Sequence, residues 1–101
     1  MTKPLSTLAE QENRRLAGSA WTFLWRPLFR YEGLGPRAWA EWRHASGYAV
    51  REVDAGIYAV AYRDVVVLDE QGSDVKFTTP KGGRAYVEQI IAAREAGNAA
   101  R

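Results

Sequence analysis

Cysteine is absent from this chain, and histidine occurs once, as His44. The first absence removes disulfides and thiolate chemistry. Together they leave a zinc site dependent on several carboxylates. No ligand pair at helical spacing presents itself, so no metal is expected. A Ser-His-Asp arrangement would have to use His44, yet no serine sits in a Gly-x-Ser-x-Gly turn or a comparable nucleophile setting. With so thin an acid–base inventory, the chain is read as a non-enzyme without a cofactor. His44 itself is read as a surface residue at a helix end. Long apolar runs are missing as well. The longest uncharged one, Leu16 to Trp25, is ten residues, about half of the roughly 20 that a membrane span needs. The opening residues are polar and hold no apolar signal core. A cytoplasmic protein with no membrane association is expected.

What the chain does have is tryptophan. All four lie between positions 21 and 42 and are interleaved with arginine. The segment 21–31 holds Trp21, Phe23, Trp25, Arg26, Phe29, Arg30 and Tyr31. Aromatic and arginine side chains are the types most enriched at binding hot spots. They are also the bulk from which a small core is packed. The flanking pattern is thinly apolar, so the segment is expected to be a partner-binding surface. At least one of Trp21, Trp25 and Phe29 should then be exposed, and Arg26 and Arg30 should stand free of acids of the same chain. Trp39 and Trp42 are assigned to the core.

Length and composition describe one ordinary globular unit, 47% apolar and 26% charged. The formal net charge of +2 divides unevenly. Residues 1–45 carry seven Lys/Arg against four Asp/Glu, and residues 46–101 seven against eight. The positive field thus accompanies the aromatics, although it is smaller than a strong nucleic-acid binder needs.

Periodicity and punctuation give an α+β fold with N-terminal helical segments, an antiparallel three- to four-stranded meander, and a C-terminal helix packed on the sheet. Residues 1–18 read as a helical arm, capped by Ser6 or Thr7 and ended by Gly18-Ser19, whose thin stripe of Leu5, Leu8, Leu16 and Ala17 predicts loose docking. Residues 19–101 read as a single α+β domain. Positions 20–26 fit a strand or a helix equally, with a break near Pro27. Gly33 to Pro36 is a turn. A second helix is predicted from Pro36, burying Ala38, Trp39, Trp42 and Ala45 and stopping at Ser46-Gly47.

Strands are predicted at 48–53, 57–62, 65–69 and 74–78. Their short connections force antiparallel pairing, and the second strand, apolar on both faces, should be central. Asp54, Asp64, Asp69, Glu70 and Asp74 fall at turns, where aspartate serves its own backbone. The last helix starts with Thr79 as cap and Pro80 in its first turn. It buries Tyr86, Val87, Ile90, Ile91 and Ala93, pairs Arg84 with Glu88 on its wet side, and closes at Gly97.

Lys81, Gly82, Gly83 and Arg84 form a possible anion-binding site at that helix start. They are not a P-loop, lacking the spaced first glycine and the Lys-Ser/Thr pair.

The order helix, three or four strands, helix resembles that of the double-stranded-RNA-binding domain. The lysine-rich start of that family's last helix is reduced here to Lys81 and Arg84, and its loop histidine has no counterpart near the strand turns. Element order by itself carries no function. The expectation is therefore a small partner-binding protein, accessory, regulatory or inhibitory, of the kind a mobile element carries. The alternative is a nucleic-acid-binding module that stacks Trp and Tyr on bases and meets phosphates with Arg26, Arg30, Lys81 and Arg84.

Overall fold

In the computed structural model, residues 5–28 and 37–99 are described. The elements run α1 (Leu5–Arg15), β1 (Trp21–Leu28), β2 (Arg37–His44), β3 (Tyr48–Asp54), β4 (Ile57–Tyr62), β5 (Val65–Val66), β6 (Lys76–Phe77) and α2 (Pro80–Ala99). Phe29, Arg30, Tyr31 and the turn expected at Gly33 to Pro36 lie outside the described residues. The sheet is antiparallel in the order β1-β2-β3-β4-β5, with β6 also on β4. The α+β class and the packing of α2 on the sheet are as the sequence indicates. So is the interior place of β4, whose Ala59, Val60 and Ala61 are all buried.

The predicted helix at 36–45 is a strand instead. Tryptophans at positions 39 and 42 mimic one side of a helix, but they point to opposite faces of β2. Pairing decides the matter: Phe23 faces Trp42, Trp42 faces Val50, and Val50 faces Val60. This single row crosses four strands and forms the middle of the core. Val87 of α2 completes it, and Val50, Val60 and Val87 have no exposed surface at all. The ambiguous residues 20–26 also resolve as strand, and Pro27 is tolerated because β1 is an edge.

Both helices lie on the face that carries this row. The arm is held more firmly than its apolar stripe suggests. Leu16 enters the core, and the Asn13 side chain behaves like one more strand residue. Its amide nitrogen donates to the Phe23 carbonyl at 2.9 Å, and its oxygen accepts the Phe23 N–H at 2.7 Å. The outer edge of β1 is thereby blocked at its centre. Ser6 and Thr7 sit within α1 rather than capping it. Gly18, at φ 86°, ends the turn that follows the helix.

Two predicted strands are shorter than expected. Ala61 faces Val66, whereas Ala59 faces Lys76, where unbroken pairing would give Leu68. The register jumps by eight residues, so β5 and β6 are two pieces of one edge strand interrupted by residues 68–75. α2 begins as predicted, with the Gly82 N–H donating to Thr79 Oγ1 at 3.1 Å. It runs past Gly97, which is not in a left-handed conformation, and Ala93 is exposed rather than buried.

Candidate functional site

Two residues of the first candidate surface turn inward. Trp21 and Phe23 are each only 6% exposed. The Trp21 indole N–H donates to Glu88 at 3.0 Å, and its ring meets His44 edge-on at 4.9 Å. Phe23 packs edge-on against both Trp25 and Trp42. These rings are core, because α1 and α2 together cover the aromatics that the arm alone could not. Trp25 is half-buried at the edge of the same face.

Arg26 points the other way and is not free. Its Nε lies 3.6 Å from Glu41 Oε1, and its Nη2 donates to the Glu52 carbonyl at 3.3 Å.

The glycines at the α2 start are structural too. Thr79 takes the N–H groups of both Gly82 and Gly83. A Cβ on Gly83 would stand 2.7 Å from Val50 Cγ1, so Gly83 lets the helix approach the sheet. Arg84 lies over the Trp42 ring at 6.0 Å, and Glu88 serves Trp21, so the expected Arg84–Glu88 pair does not form. Lys81 is exposed. These four residues do not converge on an empty cradle.

Neither helix lies on the second face of the sheet, and a different cluster occupies it. The strand register places Glu41 directly opposite Arg51, two residues before Arg43, and diagonal to Arg26. Glu41 is fully buried. Its Oε1 lies 3.0 Å from Arg51 Nε, and its Oε2 accepts from Arg43 Nε. Arg51 reaches on to Asp64 through Nη2 at 2.9 Å. Positive charge outweighs negative here. Burial first, and then the charge of Arg51, lowers the pKa of Arg26, an effect that Glu41 only partly offsets. The guanidiniums stay protonated throughout the accessible pH range, so the surplus is fixed.

At one end of the sheet, where its two faces meet, the β2–β3 turn and the β4–β5 turn lie side by side, joined by the Arg63 N–H donating to the Gly47 carbonyl at 3.0 Å. Between them is a cleft of about 220 Å³ lined by Arg43, Arg51, Arg63, Asp64, His44 and Tyr48, among others. His44 is at the end of β2, where its Nδ1 accepts the Ser46 N–H at 3.0 Å and meets the Ser46 hydroxyl at 2.8 Å. The hydroxyl in turn accepts the Tyr48 N–H at 3.4 Å. This network closes the turn, and among the described residues no carboxylate orients the ring for catalysis. No cluster of metal-ligating residues occurs among the described residues either.

Glu41, Arg43, Arg51 and Arg63 went unmarked in the sequence. The usable signal was the alternation of Trp39, Glu41 and Arg43 with Ala40, Trp42 and His44. It becomes visible only once 37–44 is taken as a strand. Fold and site together define a small α+β protein with one helix-covered face and one arginine-rich face. Compared with known proteins, the chain matches no family model, no curated protein and no solved structure.

Proposed function

We propose that this is a small non-enzymatic binding protein of accessory, regulatory or inhibitory type, whose contact surface is the helix-free face of its sheet. The partner in this reading is a protein presenting an acidic patch. One observation carries the reading: on the face that neither described helix covers, a fully buried glutamate gathers Arg51, which is buried, with Arg26 and Arg43, which stay 28% and 56% exposed. Burying an ion cluster is a poor way to stabilise a sheet, since apolar residues of equal volume often do as well or better. Fixing guanidiniums in place is useful for recognising carboxylates. Exposed Val66, opposite Ala61, lies on the same face and adds apolar contact beside the charge.

The nucleic-acid alternative is disfavoured by placement. Of its stacking rings in 21–31, Trp21 is buried and Trp25 half-buried, and Tyr31 lies outside the described residues. Its phosphate ligands divide between the two sides of the molecule, with Arg26 on the sheet face and Lys81 and Arg84 on the helix layer.

The test is affinity capture by the tagged chain after nuclease treatment, comparing the wild type with Arg43→Glu. Arg43 is 56% exposed, and Arg43→Gln, which sets no second carboxylate beside Glu41, must lose capture in the same way. The expected result is a protein retained by the wild type and lost by the variant, with β2 and β3 protected from hydrogen exchange in the complex. Loss of all capture on nuclease treatment, or equal capture by Arg43→Glu, overturns the reading.

A further inference from the structure

The cleft between the two turns has a geometry that a generic contact surface does not require. The β4–β5 connection has two residues, and both adopt left-handed backbone: Arg63 at φ 49° and Asp64 at φ 68°. Such a turn normally takes Asn-Gly or Asp-Gly, because other side chains are strained there. Here an arginine and an aspartate occupy it. Asp64 uses the position to hold Arg51, and Arg63 lies over the Tyr62 ring at 5.3 Å. Gly47, at φ 103°, brings the neighbouring turn against them. A Cβ there would meet both the Tyr62 ring and the Arg63 side chain at 3.4–3.5 Å.

We infer that this cleft is a binding site for a single phosphate-sized oxyanion, held by Arg43, Arg51 and Arg63. The inference goes beyond the partner reading and does not depend on it, because the cleft would take the free ion. The nitrogens are available. Arg43 commits Nε to Glu41 and keeps its two terminal groups. Arg51 commits Nε to Glu41 and Nη2 to Asp64, which leaves Nη1. Arg63 has no carboxylate partner among the described residues.

Each guanidinium can offer one or two parallel N–H donors, the pattern that suits phosphate oxygens. The size is right as well. At about 220 Å³ the space is below the range for drug-sized ligands and suits one anionic head group. Asp64 is the internal competitor. Its side chain is 83% exposed, so it can swing into water as the anion takes over Arg51.

The competitor makes the test sharp, because two neighbouring variants should move affinity in opposite directions. Inorganic phosphate is titrated into the full chain at constant ionic strength, following the amides of Gly47 and Arg63 and the arginine Nε–H signals by NMR. Arg63→Gln should weaken binding about tenfold, the worth of a hydrogen bond to a charged group. Asp64→Asn should tighten it about threefold to fivefold, the scale of an exposed ion pair. Asp74→Asn makes the same change in net charge at the base of the 68–75 excursion, where Asp74 bridges to Leu68, outside the cleft lining, and should leave affinity unchanged. Saturable shifts confined to the two turns, with this ordering of variants, support the site. Non-saturable shifts spread over surface cations, or equal effects of Asp64→Asn and Asp74→Asn, overturn it. A variant that alters the wild-type amide spectrum without ligand is replaced by Arg43→Gln, for which the same weakening is required.

Discussion

The two faces of the sheet are made from the same strands by alternate residues, yet they are built on opposite principles. On the helix side, the row Phe23, Trp42, Val50, Val60 meets Val87, and carboxylates satisfy the indole nitrogens of Trp42 and nearby Trp21. Glu12 takes the Trp42 N–H at 2.9 Å and Glu88 takes that of Trp21. On the other side, Leu24, Glu41, Arg51 and Ala59 form the equivalent row, with charge at its centre. One face gains its stability from area removed from water. The other buries Trp39, Ala49, Ala59 and Ala61 as well, but around them it offsets the desolvation of Glu41 with three ion pairs and keeps a positive surplus. Period-two alternation lets a short chain put an apolar packing surface and a charged surface on the same strands, residue by residue.

The separation can be broken from either side. The largest effect is expected on the helix side: Trp42→Ala should cost about 3–5 kcal/mol, read by urea unfolding. It removes a buried ring, its bond to Glu12 and the platform under Arg84. A cost below about 1 kcal/mol would mean that the row is not the core.

On the charged side, Glu41→Gln should cost about 2–3 kcal/mol, less than the usual penalty for breaking a fully buried pair, because Arg43 and Arg26 retain some water. The companion Arg43→Gln should stay within about 0.5 kcal/mol, as exposed pairs do. If the two changes cost the same, Glu41 is not the organising group.

The smallest effect concerns acid. Hydrogen bonding from Arg15 above all, and then from the Trp42 indole, holds the Glu12 carboxyl below its ordinary range against the opposing effect of burial. A lowered folded pKa means stabilisation that is complete above the unfolded value and is lost as pH falls through the folded one. Wild-type melting temperature should therefore fall more steeply on acidification than that of Glu12→Gln, and the gap between them should narrow. Parallel curves would remove Glu12 from the helix-side network.

How much of this was readable beforehand differs between the faces for a physical reason. β4 and α2 could be placed from local pattern, because Ile57 to Tyr62 is apolar on both sides and Thr79-Pro80 is an unambiguous start. β2 could not. Its tryptophans three apart fit a helical face, and only pairing with Phe23 and Val50 sends Trp42 to the helix side and Trp39 to the opposite side, where it too is buried. Once that strand is misassigned, Glu41 belongs to no face, and its meeting with Arg26 and Arg51 is invisible. Those contacts span fifteen and ten positions of sequence and depend on register, which no local propensity encodes. The same reasoning explains why Trp21 and Phe23, expected in a contact surface, are covered. The aromatic density at 21–31 is real, but whether Trp21 and Phe23 are covered depends on where α2 returns.

The interrupted edge strand has a consequence for how this chain can vary. Because β5 and β6 lie in line along β4, residues 68–75 leave the sheet and rejoin it at neighbouring pairing positions. The sheet registers only the two ends of the detour, not its contents. Lengthening such a loop adds entropy slowly, by about 0.6 kcal/mol per doubling. The tip is thus a natural splice point, where a peptide, a tag or a whole domain could be inserted while the pairing of Ala61 with Val66 and Ala59 with Lys76 stays in place. A lineage carrying this fold could gain or lose parts there without touching either face of the sheet.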